Sequence, residues 1–172
     1  MNRTMENAER EQRLKRWIEE YRTPLLRTCV IYLSDYNLAE DVVQETFLKA
    51  WKAMDSFEGR NGSSEKTWLV SIAINACKDQ MRKRWFRHID SSKALDELPE
   101  RTTNLPIKER DILIDISRLP EKYKAVVLLR FYQNMTQTEI AAVLGVSRSV
   151  VGKRLKKALD MLRITLGEEG QA

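Results

Sequence analysis

The sequence predicts an all-α protein: two small helical domains, one a helical bundle and the other a helix-turn-helix, joined by a flexible linker. Three observations carry this. Strong apolar patterning recurs at helical spacing and nowhere alternates as a strand would. The 172 residues hold 6 Gly and 4 Pro, too few for many turns. One stretch, 89–106, has no period and mixes Pro99 and Pro106 with Asp, Glu, Ser, Thr and Asn, as a linker does. The expected organisation is a flexible tail over 1–13, a domain over 14–88, the linker over 89–106 and a second domain over 107–172.

The elements follow in order. Trp17–Leu33 reads as a helix with Pro24 near a bend or a start. Val43, Phe47, Ala50, Trp51 and Met54 form one apolar stripe of the next helix, and Asn37 with Glu40 resembles a capping arrangement at its start. FEGRNGSSE, 57–65, holds two Gly, an Asn and two Ser and is a loop. Leu69, Ile72, Ala73, Ala76 and Gln80 mark the inner face of a helix from about Lys66 to Arg87. After the linker come Ile107–Arg118, a helix whose first turn suits Pro120, the segment TQTEIAAVLGVS, and a long helix from about Ser147 to Leu166.

Composition excludes several classes. Apolar residues make up 42%, enough for a core. No run of about 18 apolar residues exists to insert in a membrane. The hydrophilic start MNRTMENAEREQRLKR is no secretory signal, so the expected location is cytoplasmic. Cys29 and Cys77 lie far apart without CxxC spacing and read as reduced, half-buried thiols. His88 is the one histidine, so zinc-ligand spacing is missing and a His-bearing triad has one candidate. No catalytic residue, metal, cofactor or small-molecule substrate is expected. Lys plus Arg number 30 against 25 Asp plus Glu, a net +5 that permits a nucleic-acid partner; its placement matters more than its sum.

The most specific motif is TQTEIAAVLGVSRSVVGKRL, 136–155. Thr136 and Glu139 make a T-x-x-E capping box. Ile140 and Leu144 point inward, Ala141 is small where helices cross, Gly145 sits where a positive φ is useful, Val146 fills the turn, and Ser147 caps the next helix. This is the sequence form of a helix-turn-helix. From Ser147 to Arg163 six basic residues face one acidic residue. Val151, Leu155, Leu159 and Leu162 are left for packing. Ser147, Arg148, Ser149, Val150, Lys153, Arg154 and Lys157 are left for DNA, with Arg148 suited to guanine and lysines to phosphate.

The first domain carries two further faces. Asp41, Gln44, Glu45 and Leu48 share one side of their helix. Ser71, Asn75, Lys78 and Arg82 form a polar stripe on the next, bordered by Trp68 and the 57–65 loop, and Lys78–Arg87 carries net +4. Basic residues beside aromatics suit single-stranded DNA. Read blandly, Trp68 and Trp85 anchor a core and Asn75 is a surface amide.

DVVQETFLKAW, then a loop, then TWLVSIAINACKDQMRKR, then a linker, then LPEKYKAVVLLRFYQNMTQTEIAAVLGVSRSVVGKRLKKAL resembles the extracytoplasmic-function (ECF) sigma factors of bacterial RNA polymerase, from about residue 17 to 166. The resemblance implies an alternative initiation factor that binds core polymerase and directs it to −35 and −10 promoter elements. Asp41, Gln44, Glu45 and Leu48 would dock on the polymerase. Asn75 would read a −10 base. The 57–65 loop, with Phe57, Arg60 and Asn61, would capture a flipped base beside Trp68 and Ser71. Lys78, Arg82 and Arg84 would hold DNA there. Ser147–Lys157 would read the −35 element. An anti-sigma factor is an implied partner. Gly152 departs from the family, which often has a basic residue in that helix. The 17 residues Ile89–Leu105 span at most about 56–61 Å, enough for promoter elements roughly 50 Å apart.

Three rivals stand beside this reading, one of them a helical adaptor with no DNA role, against which the two separate basic helices argue. A stand-alone helix-turn-helix regulator would bind DNA tightly without polymerase. A nucleic-acid-processing enzyme would need a carboxylate cluster, and Asp41 with Glu45 is the one tight acidic pair on a clear helix.

Overall fold

The computed structural model describes residues 2–57, 64–87 and 107–169. Among them there is no strand. Seven α-helices follow one another: α1 (Asn2–Leu33), α2 (Tyr36–Ala53), α3 (Glu65–Arg87), α4 (Ile107–Arg118), α5 (Glu121–Val127), α6 (Gln137–Leu144) and α7 (Arg148–Glu169). A 3-10 turn, Met54–Ser56, ends α2, and a π turn, Leu128–Tyr132, continues α5. The expected linker and the glycine-bearing part of the 57–65 loop, Arg60 and Asn61 included, lie outside the described residues.

Helices α1, α2 and α3 pack around one apolar seam. Of the expected stripes, Val43, Phe47, Ala50, Met54, Leu69, Ala73 and Ala76 are buried there, with Trp17, Leu25, Leu33 and Val42 beside them, while Trp51, Ile72 and Gln80 are half-buried. Three local expectations change. Residues 2–13, expected as a tail, are continuous with α1. The helix passes through Pro24 without a start or an end there. The cap of α2 is Asp35 rather than Asn37: its carboxylate accepts from the Leu38 N–H at 2.9 Å. An Asp two residues earlier competes well for the role, because the tight turn at Ser34, with φ of 52°, delivers its side chain to the free N–H groups. Glu40 accepts instead from the Tyr36 hydroxyl at 3.2 Å.

The C-terminal helices pack on one another and on α1 and α3, so the buried side chains form one continuous cluster. Polar contacts also cross between the two halves. The Tyr32 hydroxyl donates to Glu121 Oε1 at 2.6 Å. Lys124 Nζ, on a side chain 5% exposed, donates to the carbonyls of Tyr32 at 2.9 Å and Ser117 at 3.1 Å. Burial pulls the Lys124 ammonium below its ordinary pKa, with Glu121 opposing. Gln133, also buried, donates to Thr28 Oγ1 at 2.8 Å and to the Pro24 carbonyl at 3.1 Å. Lys66 donates to the Gln133 carbonyl.

Cys29 and Cys77 are fully buried rather than half-buried, and each is a free thiol. A hydrogen bond that the Cys77 thiol donates to its neighbour Cys29, together with burial, pushes that thiol well above the usual range. Thiolate chemistry is therefore disfavoured there.

Candidate nucleic-acid interface

The helix-turn-helix forms as its residues require. Thr136 Oγ1 accepts from the Glu139 N–H at 3.2 Å, and Glu139 Oε2 accepts from the Thr136 N–H at 2.7 Å, so the capping box is reciprocal. Gly145 ends α6 in the left-handed region, φ 66°, where a Cβ would strain the backbone. The Val146 N–H then closes back on the Ala141 carbonyl at 3.1 Å. Ser147 Oγ accepts from the Val150 N–H at 3.2 Å and starts α7.

That turn aims the start of α7 outward. Ser147, Arg148, Ser149, Lys153 and Lys157 are exposed, and Val150 and Arg154 are half-buried at the edges of the same face. Val151, Leu155 and Ala158 take the buried side. Leu159, expected inside, is 37% exposed, because Ala158 lies closer to the centre of the packed face. Likewise Val143 is buried more fully than Leu144 in α6. Gly152 is helical, and a Cβ added there would meet Gln137 Oε1 at 3.5 Å, an ordinary contact.

On α3, Asn75 and Arg82 are exposed while Ser71 and Lys78 are half-buried. Arg82 pairs with Asp79 one turn back at 2.5 Å, an exposed pair that a phosphate can displace. Arg84 departs from the sequence expectation of a DNA contact. Its side chain is 14% exposed, and its guanidinium donates to the Leu33 carbonyl and to Asp35 Oδ2, both at 2.6 Å. It lies on the opposite side of the helix from Asn75 and braces α3 against the α1–α2 turn.

Trp68 stacks on Phe57 with ring centres 4.8 Å apart and 27° between planes, and meets the edge of Trp17 at 5.8 Å. Phe57 and Trp68 are half-buried and Trp17 is fully buried. The N-terminal part of α1, which sequence reasoning missed, is tied both to the end of α2 with its 3-10 turn and to the start of α3. Arg10 donates to Asp55 and to the Trp51 carbonyl at 2.9 Å. Arg13 and Arg16 pair with Glu65 at 2.8 and 2.9 Å. Arg13 also lies over the Trp17 and Phe57 rings, at 5.0 and 5.7 Å. The signal was present in the sequence: Arg10, Arg13 and Arg16 recur every three residues, a helical row.

Burial works against ionisation of Glu65. The nearby Trp17 indole N–H and the hydrogen bonds from Arg13 and Arg16 outweigh that and hold its carboxyl below the ordinary range.

The acidic face of α2 is separate from both. Asp41 and Gln44 are exposed, Glu45 is half-buried and pairs with Lys49 at 2.8 Å, and Leu48 stands 54% exposed among them.

Two family descriptions match: Sigma-70 region 2 over residues 17–87 and Sigma-70, region 4 over residues 116–163. They cover the α1–α3 bundle and the helix-turn-helix half, which defines a sigma-70-type transcription initiation factor. Within that class the chain belongs to the ECF sigma factors, alternative sigma factors that direct RNA polymerase. It is 31% identical to "ECF RNA polymerase sigma factor SigL" of Mycobacterium tuberculosis, covering 88% of each chain. It is 27% identical to "RNA polymerase sigma factor SigV" of Bacillus subtilis, covering 88% of this chain and 90% of that one. Among solved structures it is similar to the sigma factor RpoE in complex with the anti-sigma factor NepR from Bartonella quintana. That match has a TM-score of 0.69 and 28% identity over 89% of this chain and 98% of that chain.

Proposed function

We propose that this ECF sigma factor binds core RNA polymerase through Asp41, Gln44, Glu45 and Leu48 and reads a promoter at two places. Residues 14–88 form the part that docks and melts the −10 region. Residues 107–172 form the −35 reader, tethered by 89–106. Asn75 selects a −10 base, and Ser71, Lys78 and Arg82 hold the strand beside Phe57 and Trp68. Arg60 and Asn61, outside the described residues, complete the base-capturing loop. Ser147, Arg148, Ser149, Val150 and Lys153 face the −35 major groove, with Arg154 and Lys157 toward its phosphates. The protein works in the cytoplasm, catalyses no step itself, and is held inactive by an anti-sigma factor.

One observation carries the reading. A single chain presents two separate cation-bearing helix faces, one behind a helix-turn-helix and one beside stacked aromatic rings. A stand-alone regulator needs the first alone. Nor does the enzyme reading gain support: Asp41 and Glu45 stand on an open face, with Glu45 paired to Lys49.

The test is run-off transcription by purified core polymerase, with and without the protein, on fragments of the source genome. Discrete start sites that require the protein are expected. No stimulation, together with salt-sensitive DNA binding by the protein alone, would turn the reading to the stand-alone regulator.

A further inference from the structure

Trp85 is 80% exposed, far more than any other large apolar side chain among the described residues. A lone surface apolar residue is ordinary. This one has a register. Ser71, Asn75, Lys78, Arg82 and Trp85 are separated by four, three, four and three residues. At 100° per residue the five span an arc of about 80°, with Asn75 at one edge and Trp85 at the other, on one stripe about 21 Å long. The stripe begins beside Trp68, which stacks on Phe57, and ends at Trp85. Between the two aromatics stand an amide and two cations. Lys83 is exposed too, but it stands about 160° around the helix from Trp85, outside the stripe.

We propose that Trp85 is a second stacking platform for single-stranded DNA, receiving an unpaired base at the far end of the stripe that Asn75 reads. The inference rests on the −10 reading above and extends it by one residue. Phosphates need the cations, and bases need a flat apolar face that any of the four can use. Trp85 supplies such a face and makes no described contact that its removal would break. An apolar protein surface would find the Trp but would have to bury Lys78 and Arg82 beside it, where the nearby acid on α3 is Asp79, already paired with Arg82. The charge therefore favours a polyanion over an apolar protein partner.

The experiment uses the full chain bound to core polymerase. The probe is a forked promoter DNA whose −10 non-template strand is unpaired, taken from a start site mapped by run-off transcription. A fully paired fragment carrying the −35 element alone is the control. W85A should weaken binding to the forked DNA by at least about fivefold, the factor that ~1 kcal/mol of base stacking supplies. The control fragment should bind unchanged, and W85F should stay within about twofold of wild type on the fork. Equal binding of W85A and wild type to the fork would overturn the proposal. So would a loss that appears instead in affinity for core polymerase, which would make Trp85 a protein contact. If the wild-type complex itself ignores the unpaired strand, the −10 reading falls, an outcome distinct from an effect confined to Trp85.

Discussion

Arg13 and Glu65, 52 positions apart, meet through two hydrogen bonds to the same oxygen, Nε at 3.0 Å and Nη2 at 2.8 Å. The contact fastens the N-terminal half of α1 to the first residue of α3. Arg16 takes the other oxygen of the same carboxylate at 2.9 Å. Glu65→Gln leaves a neutral amide facing two guanidinium groups. Loss of about 1–2 kcal/mol is expected, since both partners are partly exposed. A lower urea midpoint and faster amide exchange over α1 would show it; no change in either would mean the clamp contributes nothing.

The same carboxylate sets an acid limb of stability. Its native pKa lies below the ordinary 4.5, so the folded state binds fewer protons there than the unfolded chain. Its stabilising contribution is fully present above pH 4.5 and is lost as the pH falls through the depressed native value. Unfolding measured from pH 6 down to pH 3 should show a shallower acid loss for Glu65→Gln than for wild type. Parallel curves would remove Glu65 as a cause.

Gly152 sits in an ordinary helical conformation with room for a methyl group. Gly152→Ala should stabilise the protein by up to about 1 kcal/mol through helix propensity. The midpoint of urea unfolding should rise with the slope unchanged. A fall would mean that Gln137 cannot give way.

Asn75 and Lys78 share a face but differ in chemistry. Asn75→Ala should relax the choice of base at one −10 position, while Lys78→Ala should weaken all promoters alike and reduce the salt slope. Transcription from a promoter library reads both. Equal, sequence-independent losses would contradict the division of labour.

Asp41→Ala combined with Glu45→Ala should weaken core polymerase binding while circular dichroism stays unchanged, because both side chains point away from the apolar seam. Unaltered affinity would move the docking surface elsewhere.

How much of this was legible beforehand depends on the range of the interaction. The capping box at Thr136, the left-handed Gly145 and the Ser147 cap are set within a few residues, and the sequence pattern located each. The α2 cap was misplaced because Asp35 and Asn37 are both good caps and only the turn at Ser34 decides between them. Arg84 looked like another strand-binding cation among Lys78, Arg82 and Lys83. Its partner, Asp35, lies 49 positions away and leaves no local trace. The helix over 2–13 was hidden for the same reason: its apolar content is low, and it is held by guanidinium contacts to Asp55, Trp51 and Glu65.

Lys124, buried where the two halves meet, has a thermodynamic consequence. The ammonium, tyrosine hydroxyl and glutamine amide that sit within this otherwise apolar seam regain water on opening, and the ammonium sheds the burial that depresses its pKa. Such a mixed seam parts more cheaply than a wholly apolar one of equal area. Any partner that needs the halves apart binds only the open fraction, so its apparent dissociation constant is raised by the reciprocal of that fraction. A bias of about 1.4 kcal/mol toward the closed arrangement would impose a tenfold toll. Substitutions at Tyr32, Lys124 or Gln133 would thus tune how readily the protein is recruited without touching a single base or polymerase contact.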